Sequence, residues 1–202
     1  MAIISSRPTL ALVKTRWRKK GERTLAERAG VIGANIWKVS LAIFKHMENE
    51  GFRFGSDRLA TDVLAEFIAF QVQLADRTVY GRVSDEQRAA LIGEVVGHLA
   101  ATMDNNQRDL VGPGEHRKAF IDLLNTRFGE YAGFDYADGE PGYACLRFFA
   151  TKVADAMAGG DNKWVVEQVM EIEAPEMVRF VRKLVDQALE AAPPAQPPAR
   201  GA

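Results

Sequence analysis

Apolar residues recur every three or four positions along most of the chain, which is the spacing of one face of an α-helix. The first such run covers residues 24–50 and is stopped by Gly51. The second run follows the cap pair Ser56-Asp57 and continues to about residue 80. Sustained alternation of apolar and polar residues, the mark of a strand, is nearly absent. The pattern therefore predicts an all-α fold.

The same spacing continues beyond residue 80. Ser84, with Gln87 three residues later, forms a capping box that predicts the start of a third helix, which runs to about residue 110. A fourth helix is predicted over residues 115–131. A fifth is predicted from Pro141, a residue favoured in the first turn of a helix, up to Gly159.

The sixth predicted helix begins near residue 161, and Pro175 either kinks it or begins a seventh. Because most connections are short, we expect a single-domain bundle of six or seven helices over residues 24–191. Residues 1–23 form a basic N-terminal arm that we expect to be partly disordered. Residues 192–202 are rich in Pro and Ala, and we expect a disordered tail there.

The second predicted helix is apolar around most of its circumference, which indicates burial between several other helices. Its narrow polar stripe consists of Asp62, Glu66, Gln73 and Asp76. The sequence leaves open whether this stripe faces solvent or a cavity.

Composition and charge narrow the class of protein. Hydrophobic residues make up 47% and charged residues 26% of the 202-residue chain, as in ordinary soluble globular proteins. The single Cys145 excludes an internal disulfide framework and a multi-cysteine zinc site. No apolar run approaches the roughly 18 residues that span a bilayer, and no secretory signal is recognisable, so we expect a cytoplasmic location.

The charge is unevenly distributed. Residues 1–30 contain eight Lys or Arg against two Glu, a net charge of +6, so the remaining residues carry −7. If the arm binds an anionic surface, either membrane or nucleic acid, we expect it to do so through Arg16, Trp17, Arg18, Lys19 and Lys20. The alternative interpretations are a leader that docks on the bundle and an organelle transit peptide, which has a similar composition.

Two groups of residues are candidates for a site. Glu66, Glu94 and His98 would supply carboxylate and imidazole ligands, and an enzyme with a ligand or metal site in its helical bundle is therefore an alternative. Di-iron bundles repeat Glu and His three residues apart on two helices, whereas Glu94 and His98 are four apart and occur once. We therefore assign no metal and no other cofactor from the sequence.

The second candidate lies in residues 128–149, which contain seven of the eighteen aromatic residues. Phe134 and Tyr136 fall in the predicted connector between the fourth and fifth helices, where two large rings indicate either packing or binding. If the protein binds a ligand there, we expect the site beside Asp135, Tyr136, Asp138 and Tyr143.

The segment TLAERAGV at residues 24–31 resembles the first half of a helix-turn-helix, such as the DNA-binding element of TetR-like regulators. The resemblance rests on Leu25, Ala26, Ala29, Gly30 and Val31 and would place the whole element in residues 24–40. It implies a dimeric all-α transcriptional regulator. The family has a Ser-type cap where this chain has Ile32, and the apolar spacing up to residue 47 favours one continuous helix instead.

No phosphate loop, nucleophile elbow or zinc-protease motif is present in the sequence. We therefore expect a non-enzymatic binding or interaction protein. Expected partners are another protein, an anionic surface or a second copy of the chain. The homodimer prediction rests on apolar surface contributed by Trp37, Phe44, Phe148 and Trp164.

Overall fold

The computed structural model describes residues 24–137, 139–157 and 164–190. The all-α bundle is confirmed, and this part of the chain forms a single helical domain with very little strand. The elements are α1 (Leu25–Asn49), α2 (Asp57–Val79), α3 (Asp85–Val111), α4 (His116–Tyr131), β1 (Tyr136–Ala137), β2 (Glu140–Pro141), α5 (Tyr143–Ala156), α6 (Val165–Gln168) and α7 (Ala174–Glu190). The predicted arm and tail lie outside the described residues.

Local capping explains where two of the long helices begin. Thr24 Oγ1 accepts a hydrogen bond from the Glu27 backbone N–H, and the Glu27 carboxylate accepts one from the Thr24 N–H. The capping box predicted for α3 is confirmed, with Ser84 and Gln87 exchanging the corresponding pair of bonds. Each box satisfies two backbone donors that the first turn leaves without helical partners.

The central position predicted for α2 is confirmed. It contacts α1, α3, α4, α5 and α7, and all residues from Val63 to Ala75 are buried. Phe70 of α2 stacks on Phe149 of α5 with ring centres 4.0 Å apart. The apolar residues of α2 thus pack against other helices on nearly every side, as expected for a helix buried among several neighbours.

The predicted start of the fifth helix at Pro141 is wrong. Pro141 pairs with Tyr136 in a two-stranded antiparallel ribbon formed by β1 and β2, and α5 begins two residues later behind Gly142. A proline disfavours helical backbone in the residue before it, so Glu140 is driven towards extended structure. Gly139 takes the left-handed backbone (φ 77°) in the turn of the ribbon.

Pro175 lies in a continuous helical stretch that contains a wide turn. Val169–Glu173 form a π-helical turn between α6 and α7, and the Ala174 N–H bonds the Val169 carbonyl five residues earlier. Pro175 has no N–H to donate, and its ring crowds the carbonyl four residues before it. The wider turn lies immediately before this proline, where the ordinary ladder of hydrogen bonds is interrupted. The predicted start near residue 161 lies outside the described residues.

Candidate functional site

A cleft of about 530 Å³ lies between the C-terminal end of α2, the segment around the β1–β2 ribbon, and α7. Three arginines, three aromatic residues and two aspartates form most of its wall. These are Arg77, Arg82, Arg182, Tyr80, Phe134, Tyr136, Asp135 and Asp186. Cationic and aromatic groups of three separate elements therefore converge on one concave surface.

The local structure of each element explains this convergence. Arg77 occupies the last turn of α2, and Tyr80 is the residue that caps the helix. Gly81 then adopts a left-handed conformation (φ 73°), which turns the chain and leads to Arg82. Arg182 and Asp186 are four residues apart on α7, a spacing that places both on one face of a helix.

Two of the arginines are engaged in surface ion pairs. Arg82 Nη1 lies 2.6 Å from Asp186 Oδ1, and Arg182 Nη1 lies 2.7 Å from Glu140 Oε1. All four side chains are exposed, and exposed pairs of this kind contribute little to stability. A bound anion could therefore replace either carboxylate at low cost.

Arg77 differs from the other two arginines. Its guanidinium carbon lies 4.9 Å from the centre of the Tyr136 ring, an attractive cation–π arrangement. It forms no ion pair with the residues that the structure describes, and its Nε is buried without a hydrogen-bond partner there. A buried donor on a charged group without a partner is costly and therefore rare in folded proteins.

Tyr136 joins the cleft to the core beneath it. Its hydroxyl lies 3.4 Å from the Cys145 Sγ. Burial, together with this contact, raises the pKa of Tyr136, and burial also raises the pKa of Cys145. Cys145 is therefore held as a thiol, which is a poor nucleophile.

The sequence-based ligand site is only partly assembled in this cleft. Asp135 and Tyr136 belong to its wall, whereas Tyr143 is 67% exposed on α5 and lies outside that lining. Asp138 lies outside the described residues. Phe134 both lines the cleft and packs against Phe148, with ring centres 5.2 Å apart. Phe134 and Tyr136, the two rings of the connector, thus both line the cleft and pack against the core.

The three arginines were missed by sequence reasoning. One local signal existed for Arg77, because a cationic residue on a helix that is apolar on most sides requires a polar surrounding in the fold. No comparable signal existed for Arg82 or Arg182. Arg82 comes close to Arg77 through the turn of the chain at Gly81, whereas the approach of Arg182 depends on how α7 packs against α2.

The candidate metal ligands are not brought together. Glu66 is buried and accepts two hydrogen bonds from Arg127 of α4, at 2.8 and 2.6 Å, whereas Glu94 and His98 are exposed on α3. Within residues 24–137, 139–157 and 164–190, no group of three or more potential ligands is positioned to hold a metal. At Glu66 the polar stripe of α2 faces another helix, neither solvent nor an open cavity.

The helix-turn-helix suggested for residues 24–40 is not present. α1 continues without a break from Leu25 to Asn49, so the turn that would follow Gly30 does not exist. The apolar spacing, which favoured one continuous helix over a helix-turn-helix, indicated the correct structure. Its buried face includes Ile32, Ile36 and Ile43.

Most of the surface invoked for a homodimer is used within the chain. Phe44 stacks on Phe54 with ring centres 4.0 Å apart, Phe148 packs on Tyr131, and Trp37 is half-buried against the core. Trp164 is 70% exposed. The basic residues 16–20 lie outside the described residues. None of the described helices is long and apolar enough to cross a membrane.

We compared the chain with protein-family models, with curated proteins and with solved structures, and none of the three comparisons found a match.

Proposed function

We propose that the protein is a non-enzymatic binding protein and that the cleft between α2, the ribbon and α7 holds a small anionic ligand. The observation that carries this proposal is the guanidinium of Arg77, which lines the cleft and forms no ion pair with the described residues. A carboxylate or phosphate in the cleft would pair with this guanidinium. Guanidinium groups bind both kinds of anion through pairs of parallel hydrogen bonds.

The neighbouring groups support the same interpretation. Arg82 and Arg182 each pair with an exposed carboxylate, which an incoming anion can displace, and Arg82 also donates to the Thr78 carbonyl at 3.4 Å. The volume of about 530 Å³ lies within the usual range for small-molecule sites, roughly 300–1,000 Å³. Asp135 opposes anion binding and would favour ligands whose negative charge lies away from it.

The test is titration of the full chain with inorganic phosphate and with acetate, followed by amide chemical shifts in NMR. We expect saturable shifts at residues of the cleft with at least one anion, and at least tenfold weaker binding for Arg77→Gln. Arg58→Gln is the matched control, because Arg58 is an exposed arginine in the first turn of α2, at the opposite end of the helix from the cleft. Absence of saturable binding, or equal affinity of the two variants, would overturn the proposal.

A second candidate function is favoured by the net charge of +6 in residues 1–30. The arm would bind an anionic surface through residues 16–20. We expect the full chain to be retained on heparin in a salt-sensitive manner and a chain lacking residues 1–23 to lose that retention. Arg77→Gln should be retained like the wild type, which separates the arm from the cleft. Unchanged retention after truncation would exclude this role.

Self-association, a protein partner and a cytoplasmic location remain predictions from the sequence. Of the four aromatic residues from which the homodimer was predicted, Trp164 is the exposed one. Light scattering coupled to size-exclusion chromatography measures the mass in solution directly and would decide between monomer and dimer.

A further inference from the structure

Tyr80 is an aromatic residue whose backbone is fixed by a hydrogen bond and whose side chain is largely exposed. It caps α2, and its backbone N–H donates to the Asp76 carbonyl at 3.0 Å. Its side chain is 60% exposed, although it lines the cleft together with two half-buried rings. The backbone of Tyr80 is therefore fixed at the end of α2, whereas its ring does not pack into the hydrophobic core.

The surroundings of Tyr80 favour a flat partner. The Arg88 guanidinium carbon lies 5.0 Å from the centre of its ring, so one part of the ring is already covered by a cation. Arg88 in turn is held by Asp76 at 3.3 Å. Tyr80 lines the cleft together with Arg77, which precedes it by three residues in the last turn of α2.

We propose that the ligand of the cleft carries a planar ring beside its anionic group, and that this ring stacks on Tyr80. This inference rests on the proposed anion site: Arg77, Arg82 and Arg182 would bind the charged group, and Tyr80 would bind the ring. The ligand class is an aryl carboxylate or an aryl phosphate. Tyr80 is then the residue that determines specificity, because the arginines alone accept any small anion.

Probes of equal charge separate stacking from simple apolar burial. Benzoate is planar, whereas cyclohexanecarboxylate has the same charge and a bulkier, more apolar ring. Stacking predicts that benzoate binds about three- to tenfold more tightly, whereas apolar burial alone predicts the reverse order. Phenyl phosphate and inorganic phosphate form the second arm. The head group that binds more tightly identifies the ligand as a carboxylate or a phosphate.

The decisive variant is Tyr80→Leu, with Tyr143→Leu as its matched control, because Tyr143 is similarly exposed but lies outside the cleft lining. We expect Tyr80→Leu to bind benzoate and cyclohexanecarboxylate with about equal affinity. Acetate should bind to this variant as it does to the wild type. Tyr143→Leu should keep the full preference. Amide spectra of both variants establish that each is folded before affinities are compared.

The outcomes distinguish this inference from the proposed function. If acetate and phosphate bind but benzoate shows no advantage in the wild type, the ring is excluded and the anion site stands. If the preference persists in Tyr80→Leu, stacking on Tyr80 is excluded. If no anion binds at all, both proposals fail together.

Discussion

Two buried carboxylates in this protein have different surroundings. Glu66 pairs with a guanidinium through both of its oxygens. Glu173 is fully buried within the π-helical turn, where its Oε1 contacts His46 Nδ1 at 2.8 Å and accepts from Gln168 Nε2 at 2.9 Å. The other oxygen of Glu173 has no partner among the described residues. Burial is the dominant effect and raises the pKa of Glu173, although the two hydrogen bonds and His46 oppose it.

The raised pKa makes stability depend on pH in a definite direction. Glu173 binds its proton more tightly in the fold than in the unfolded chain, so its favourable contribution is full below its ordinary pKa of 4.5 and is lost as the pH rises through the folded-state value. The charged groups that affect Glu173 are His46 and Glu50, both on α1. We therefore expect Glu173→Gln to melt at a higher temperature relative to the wild type at pH 8 than at pH 4.5.

Thermal melts of both proteins across this pH range measure the difference directly. The control is Glu167→Gln, an exposed carboxylate of α6, whose difference from the wild type should vary little with pH. A difference for Glu173→Gln that stays constant, or that shrinks as the pH rises, would contradict the prediction.

At the scale of the elements, the residue that caps α3 contributes to the stability of the fold, and its contribution can be measured. Ser84 Oγ accepts a hydrogen bond from the Gln87 N–H in the first turn. We expect Ser84→Ala to lower the free energy of unfolding by about 1 kcal/mol, because a backbone donor then loses its partner. Urea denaturation followed by circular dichroism is the measurement. Ser84→Asp should retain most of the stability, and a loss as large as that of Ala would argue against a capping role.

Elements whose signals are local could be predicted from the sequence, and those that depend on distant contacts could not. Helices α1 to α4 begin and end within about two residues of their predicted bounds, because caps, glycines and apolar spacing act over a few residues. The ribbon escaped prediction because Pro141 resembles the first residue of a helix until it is paired with Tyr136. The π-helical turn was missed as well, since Pro175 predicts an interruption of the α-helix but not the geometry of that interruption.

At the scale of the whole molecule, the cleft could be predicted only in part. Asp135 and Tyr136 drew attention because they lie in an aromatic-rich connector. Arg77 and Arg82 reach the wall from the end of α2, whereas Arg182 joins it only because α7 packs against α2. The same packing surrounds α2 with other helices, so a charged group on its fully buried part needs a partner on a neighbouring helix.

The bidentate pair between Glu66 and Arg127 is the clearest case of such a partner, since it joins α2 to α4 across the bundle. The side chains are 6% and 13% exposed. Removal of one member leaves the other charge buried without a partner, which typically costs about 3–5 kcal/mol. We expect Arg127→Met to lower the free energy of unfolding by roughly 3 kcal/mol, at the low end of that range because Arg127 is partly exposed and also bonds Glu130.

The double variant Glu66→Leu, Arg127→Met distinguishes a lost ion pair from lost packing. It removes both charges and fills the space with apolar groups, so it should regain most of the stability that Arg127→Met loses. Lys118→Met is the control, because Lys118 forms an exposed pair with Asp122 on the same helix, and its urea midpoint should stay close to that of the wild type. If the double variant is less stable than Arg127→Met, the pair itself stabilises the bundle. If Arg127→Met equals the wild type, the contact between α2 and α4 depends on apolar packing alone.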